Sequence, residues 1–141
     1  MANTTLNTSP IYTASGDTQW TVSATTANTT KDLTTGTAFT AFTASSTGGY
    51  VQRIRFMPLG TNIATVARIW INNGGATTTA ANNTLWDNIS LASTQNSEAS
   101  GQPVFELPLN IALPPNYRII VTLGSGVAAG YTITVIGGKY A

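Results

Sequence analysis

Tyr50-Val51-Gln52-Arg53-Ile54-Arg55-Phe56-Met57-Pro58 alternates: Tyr50, Gln52, Ile54 and Phe56 hold one parity, and Val51, Arg53, Arg55 and Met57 the other. Successive side chains of a strand point to opposite faces, so this run is expected to be a strand, with Arg53 and Arg55 on one face. Pro58, which has no N–H for a ladder, ends it. Residues 63–71 follow the same period, with Ile63, Ile69 and Ile71 at odd positions and Val66, Arg68 and Trp70 at even ones. Residues 85–91, 104–113, 117–123 and 131–136 are further short apolar runs. Turn-forming residues separate them, among them Asn72-Asn73-Gly74-Gly75, Pro114-Pro115-Asn116 and Gly124-Ser125-Gly126. Short β runs at regular spacing with Gly, Pro and Asn between them indicate a sandwich or barrel. No stretch carries an apolar stripe at helical period, and threonine and asparagine suit helix interiors poorly.

Residues 1–48 read differently. Ile11-Tyr12 and Trp20-Thr21-Val22 are expected to be short strands, and Phe39 and Phe42 resume a core pattern. Between them, residues 23–37 are mostly threonine, alanine and asparagine. This tract is compatible with an extended arm, an edge strand or a long polar loop on the same domain. Stretched out as a reaching arm it would span up to about 50 Å. A second low-complexity stretch, residues 76–84, is expected to be an exposed loop between the Trp70 and Trp86 strands. Eight or nine strands suffice for two packed four-stranded sheets. The expected fold is therefore all-β: a single-domain, jelly-roll-like sandwich of about eight strands, with residues 49–141 as its core and an extended N-terminal region.

The composition restricts function. The 141 residues include no histidine and no cysteine, with six Lys and Arg against five Asp and Glu. Histidine is the side chain that changes charge near neutrality and the commonest metal ligand, and cysteine is the ready thiolate nucleophile. Charged residues are 8% of the chain, against about 25% in ordinary soluble domains. A net charge of +1 suggests neither a nucleic-acid groove nor a membrane surface. So little charge is easiest to understand if copies of the chain or a larger assembly cover its surface. No disulfide can form. Residues 1–6 lack the basic and apolar regions of a secretory signal, so none is expected. The apolar runs fall far short of the roughly 20 residues of a membrane helix.

The candidate chemistry is sparse. The carboxylates Asp17, Asp32, Asp87, Glu98 and Glu106 show no spacing that favours a catalytic pair or a calcium loop. Residues 124–130 superficially resemble a phosphate-cradling loop, but they lack a lysine and a following helix and read as a hairpin turn. The Asn-X-Ser/Thr triplets at Asn28 and Asn88 carry little meaning in so threonine-rich a chain. Arg53, Arg55, Arg68 and Arg118 all lie inside expected strands. Arginine is enriched at interfaces and pairs with carboxylates, so these four are the candidate interface residues. Trp20, Trp70 and Trp86 are expected in the core; exposed, they would offer a sugar platform or an interface anchor. No catalytic residue, cofactor or metal ligand is expected.

The run Pro108-Leu109-Asn110-Ile111-Ala112-Leu113-Pro114-Pro115-Asn116-Tyr117-Arg118-Ile119-Ile120-Val121-Thr122 resembles a segment of small structural proteins of tailed bacteriophages. Residues 60–74, the ending from Val127-Ala128-Ala129-Gly130-Tyr131 to Gly137-Gly138-Lys139-Tyr140, and the opening residues 3–20 fit the same pattern. The resemblance implies a head decoration, or cement, protein. Proteins of that kind are often small β-sandwiches that sit on the capsid as trimers and clamp neighbouring capsomers. The expected partners are then two further copies of the chain and the major capsid protein, with no nucleic acid and no membrane, and the expected location is the virion surface. The alternative is a tail or fibre component that binds a host glycan or receptor. The resemblance supplies no functional residue.

Overall fold

The computed structural model describes residues 13–21 and 23–141; the strand expected at Ile11-Tyr12 lies outside them. Among the described residues the strands are β1 (Ser15–Gly16), β2 (Gln19–Trp20), β3 (Phe39–Thr43), β4 (Gly49–Pro58), β5 (Thr65–Asn72), β6 (Asn83–Leu91), β7 (Phe105–Leu113), β8 (Arg118–Leu123) and β9 (Tyr131–Lys139). One sheet runs β1-β9-β4-β7, with β2 also on β9, and the other runs β3-β8-β5-β6. Every pairing between these strands is antiparallel, and the pairs are nested: β1 and β2 with β9, β3 with β8, β4 with β7, β5 with β6. This is one long ribbon, closed at the β5–β6 hairpin and rolled up so that β9 also meets β4 and β8 also meets β5. β1 and β2 keep a single register against β9 and act as one interrupted strand. The chain is a jelly roll, as expected.

The inner faces of both sheets form one core around Phe42, Ile54, Phe56, Ile69, Ile119 and Tyr131. Each such side chain contributes roughly 1.5–3 kcal/mol by leaving water. Strict alternation along β4 places Val51 with Arg53, and the structure corrects this. Val51, Ile54 and Phe56 are all fully buried, while Gln52, Arg53 and Arg55 are exposed. The register shifts between Val51 and Arg53 against both β7 and β9. A bulge there adds a residue and so reverses the parity. Opposite it on β7, Asn110 takes a left-handed conformation (φ 49°), which asparagine tolerates better than most residues.

Residues 124–130 are not the hairpin that the sequence suggests. β8 and β9 belong to different sheets, so the segment carries the chain from one layer to the other. The polar tract 23–37 is also not a free arm. Ala24 pairs with Tyr131 and Ala27 with Leu123, and the chain then folds across the outside of the four-stranded sheet. There Leu33 packs with Trp70 and Ile120 in a second small core. The buried Asn28 carboxamide donates to Thr35 O and Thr37 O, and its oxygen accepts from Thr30 N and Thr30 Oγ1. Gly36 (φ 82°) lies against that carboxamide, where a Cβ would come within 3.0 Å of it. The Asn28 amide is thus consumed as a structural pin and cannot carry a glycan in this fold.

Tyr131 is fully buried, with its ring edge-to-face on Phe105 at 6.4 Å, and its hydroxyl has no partner among the described residues. Burial raises its pKa, an effect that the nearby Thr94 hydroxyl offsets only in part. The folded state therefore favours the neutral phenol. Its contribution is whole below the unfolded tyrosine pKa, about 10, and is lost as pH rises above it. Tyr131→Phe removes an unpaired buried hydroxyl and is expected to stabilise the fold by up to about 1 kcal/mol. It should also lessen the alkaline decline. Urea midpoints taken near neutrality and above the tyrosine pKa test both expectations.

Candidate functional site

The outer face of the five-stranded sheet is built in rows that register alone determines. Trp20 lies opposite Thr134, Thr134 opposite Arg55, and Arg55 opposite Glu106. The next row is Ile136, Arg53 and Pro108, and on the other side Met57 lies opposite Thr132. The β4 bulge turns Arg53 and Arg55 outward together. Glu106 sits between them, at 3.9 Å from Arg53 Nη1 and 3.7 Å from Arg55 Nε. All three side chains are 40–45% exposed, and ion pairs this wet contribute only about 0–1 kcal/mol. Folding does not account for the cluster. Folding does not account for Trp20 either, since it is 66% exposed at the end of its row. The face holds two guanidinium groups against one carboxylate, flanked by an indole and the Met57 thioether.

The four arginines singled out in the sequence are not brought together. Arg68 lies on the outer face of the other sheet, opposite Thr122. Arg118 is half-buried and donates through Nε and Nη2 to Asn72 Oδ1, at 3.0 and 2.7 Å, and also to Gly75 O. It clamps the β5–β6 turn. Only Arg53 and Arg55 share a surface. The tryptophans expected in the core divide as well. Trp70 is buried and donates its indole N–H to Thr122 Oγ1 at 3.0 Å, whereas Trp20 and Trp86 are 66% and 48% exposed. Trp20 lies in a two-residue strand at the sheet edge, and Trp86 is the extra residue where the β5–β6 register shifts. The role of Glu106 was not legible, because its link to the arginines is a pairing across some fifty residues of chain.

The three aspartates are used locally. Asp17 accepts from Gln19 Nε2, and Asp87 from Asn88 N. Asp32 accepts from Thr34, whose hydroxyl and backbone N–H lower the Asp32 pKa. Among the described residues no three potential metal-ligating side chains gather. The sheets are joined along one side by the Gln19 carboxamide, which accepts from Thr43 N and donates to Thr43 O, both at 2.9 Å. It thus behaves like one more peptide group on the edge of β3. Comparison with protein families, curated proteins and solved structures finds no match to this chain. The arginine–tryptophan face offers bidentate donors to carboxylates or carbonyls beside an apolar anchor.

Proposed function

We propose that this chain is a non-enzymatic structural protein of a tailed-phage virion, a decoration or cement subunit that assembles as a homotrimer and clamps neighbouring capsomers. The supporting observation is the Trp20–Thr134–Arg55–Glu106 row with Arg53 beside it: an exposed, rigid sheet face that combines arginine and tryptophan, the residues most enriched at binding hot spots. A strand-built face loses little conformational entropy on docking. The low charge of the chain and its resemblance to small phage structural proteins point the same way. Each copy adds one modest patch, and simultaneous engagement of several makes attachment strong.

A subunit that bridges capsomers opposes the outward pressure of packaged DNA. Particles lacking this protein are expected to release DNA at lower temperature, or under milder osmotic shock, than complete ones, and adding purified protein back should restore the complete-particle curve. Release is followed with an intercalating dye during heating. Identical curves with and without the protein, together with loss of adsorption to host cells, would place it in the tail instead.

A further inference from the structure

Among the described residues, the side of the sandwich away from the Gln19 link is uncovered. There β6 and β7 are the free edges of the two sheets, and two adjoining hollows of about 170 and 270 Å³ share Ile71 and Tyr117. Trp86, Ile111 and Pro114 wall the first, and Asn73, Asn82 and Asn83 wall the second. Each hollow is of the order of one sugar ring. We propose that this cleft binds a neutral saccharide, stacked against Trp86 and Tyr117, with its hydroxyls on the asparagine wall. This goes beyond the decoration reading and does not depend on it.

Three features select that ligand class. Among the described residues no charged side chain lines either hollow, so an anionic ligand would find no counter-charge there. A wholly apolar ligand would cut the second N–H of Asn73 and of Asn82 off from water without a partner, at a cost of about 1–3 kcal/mol per group. A strand from another chain is also a poor fit, because the Trp86 bulge interrupts the β6 edge and Pro108 the β7 edge, and both devices block edge pairing. A saccharide needs what remains, an aromatic face beside fixed amides. The wall is preorganised: Asn73 Nδ2 donates to Asn82 Oδ1, and Asn82 Nδ2 to Ala76 O. A carboxamide nitrogen carries two hydrogens, so each of these two keeps one for a ligand. The Arg118 clamp on Asn72 and Gly75 holds the same turn.

The test uses the full chain carrying Trp20→Phe, so that exposed-indole fluorescence reports Trp86. It is titrated with neutral hexasaccharides of glucose, mannose, galactose and N-acetylglucosamine, with polygalacturonate as the anionic control. At least one neutral series should shift Trp86 emission at submillimolar to millimolar concentration, while polygalacturonate should not. Adding Trp86→Ala, with binding now followed by amide NMR because the reporter indole is gone, should weaken binding about tenfold or more, whereas Trp86→Tyr should keep part of it. In amide NMR spectra the shifts should gather at Asn73, Asn82 and Tyr117. Failure of all four neutral series at millimolar concentration, or binding that survives Trp86→Ala, would overturn the site. A fall in oligomeric state on Trp86→Ala would overturn it too, since another copy would then cover the cleft. Trp86→Ala should leave attachment to particles unchanged, so this site and the decoration reading stand or fall separately.

Discussion

Reversing both guanidinium charges, Arg53→Glu with Arg55→Glu, should abolish attachment to particles while leaving the subunit folded. Both side chains are exposed, and their ion pairs with Glu106 at 3.7–3.9 Å add little to stability. A β4 strand with outward glutamates keeps its inner face of Val51, Ile54 and Phe56 intact. At an interface, losing an arginine anchor costs about 2 kcal/mol or more, and every copy in the assembly loses it together. Apparent affinity is therefore expected to fall by at least about a hundredfold. Co-sedimentation of purified variant with particles lacking the protein measures this, with circular dichroism and a thermal melt as the check on folding. The double change Arg53→Lys, Arg55→Lys should give an intermediate loss, because lysine keeps the charge but not the planar fork. Wild-type attachment by the charge-reversed protein would remove this face from the proposal.

The second large effect concerns stability. Asn28→Ala deletes the carboxamide that holds Thr30, Thr35 and Thr37 and leaves the Thr30 N–H and the Thr37 carbonyl without it, for a loss of about 2–4 kcal/mol. Leu33→Ala should cost a comparable amount, about 2–3 kcal/mol, by opening the contact with Trp70 and Ile120. Alanine recovers none of the backbone strain, because Leu33 is held at φ 64° and the clash there comes from the Cβ, which only glycine lacks. The two changes act on one loop and should be less than additive. Urea midpoints give the energies, and trypsin cleavage after the exposed Lys31 should be faster in both variants. A free arm could be removed without unfolding the domain, whereas removing residues 23–37 should uncover Trp70 and Ile120 and destabilise it.

The loop also changes how the low charge of the chain is understood. Alternation along β5 predicts a sheet with both faces covered, and covering by other copies is one way to achieve this. In the structure the chain covers the outer face of the four-stranded sheet with its own residues, Leu33 above all. On the outer face of the five-stranded sheet Trp20, Arg53 and Arg55 stay exposed. One threonine-rich segment thereby buries part of the outer face of one sheet.

The strands themselves were legible from the chain. Period-two patterning at Phe39, along residues 50–57 and 63–71, and in the later apolar runs, together with the Gly, Pro and Asn breaks, locates nearly every strand. The number of strands and the absence of helical stripes lead to a sandwich. The likeness of Arg53 to Arg55 was legible too, since a period of two needs no partner strand to put them on one face. Which strands pair was not legible. Apart from the two short strands that share β9, only β5 and β6 are chain neighbours in the same sheet. Every other contact closes a long loop whose entropy varies only slowly with length, so local sequence barely distinguishes one pairing from another. The β4 bulge, the seating of Leu33, the place of Glu106 between two arginines and the exposure of Trp20 and Trp86 all follow from those long-range registers. Local alternation sets which residues make strands; only the rolled ribbon decides which faces are buried and which residues meet, because burial belongs to the packed pair of sheets and not to any single strand.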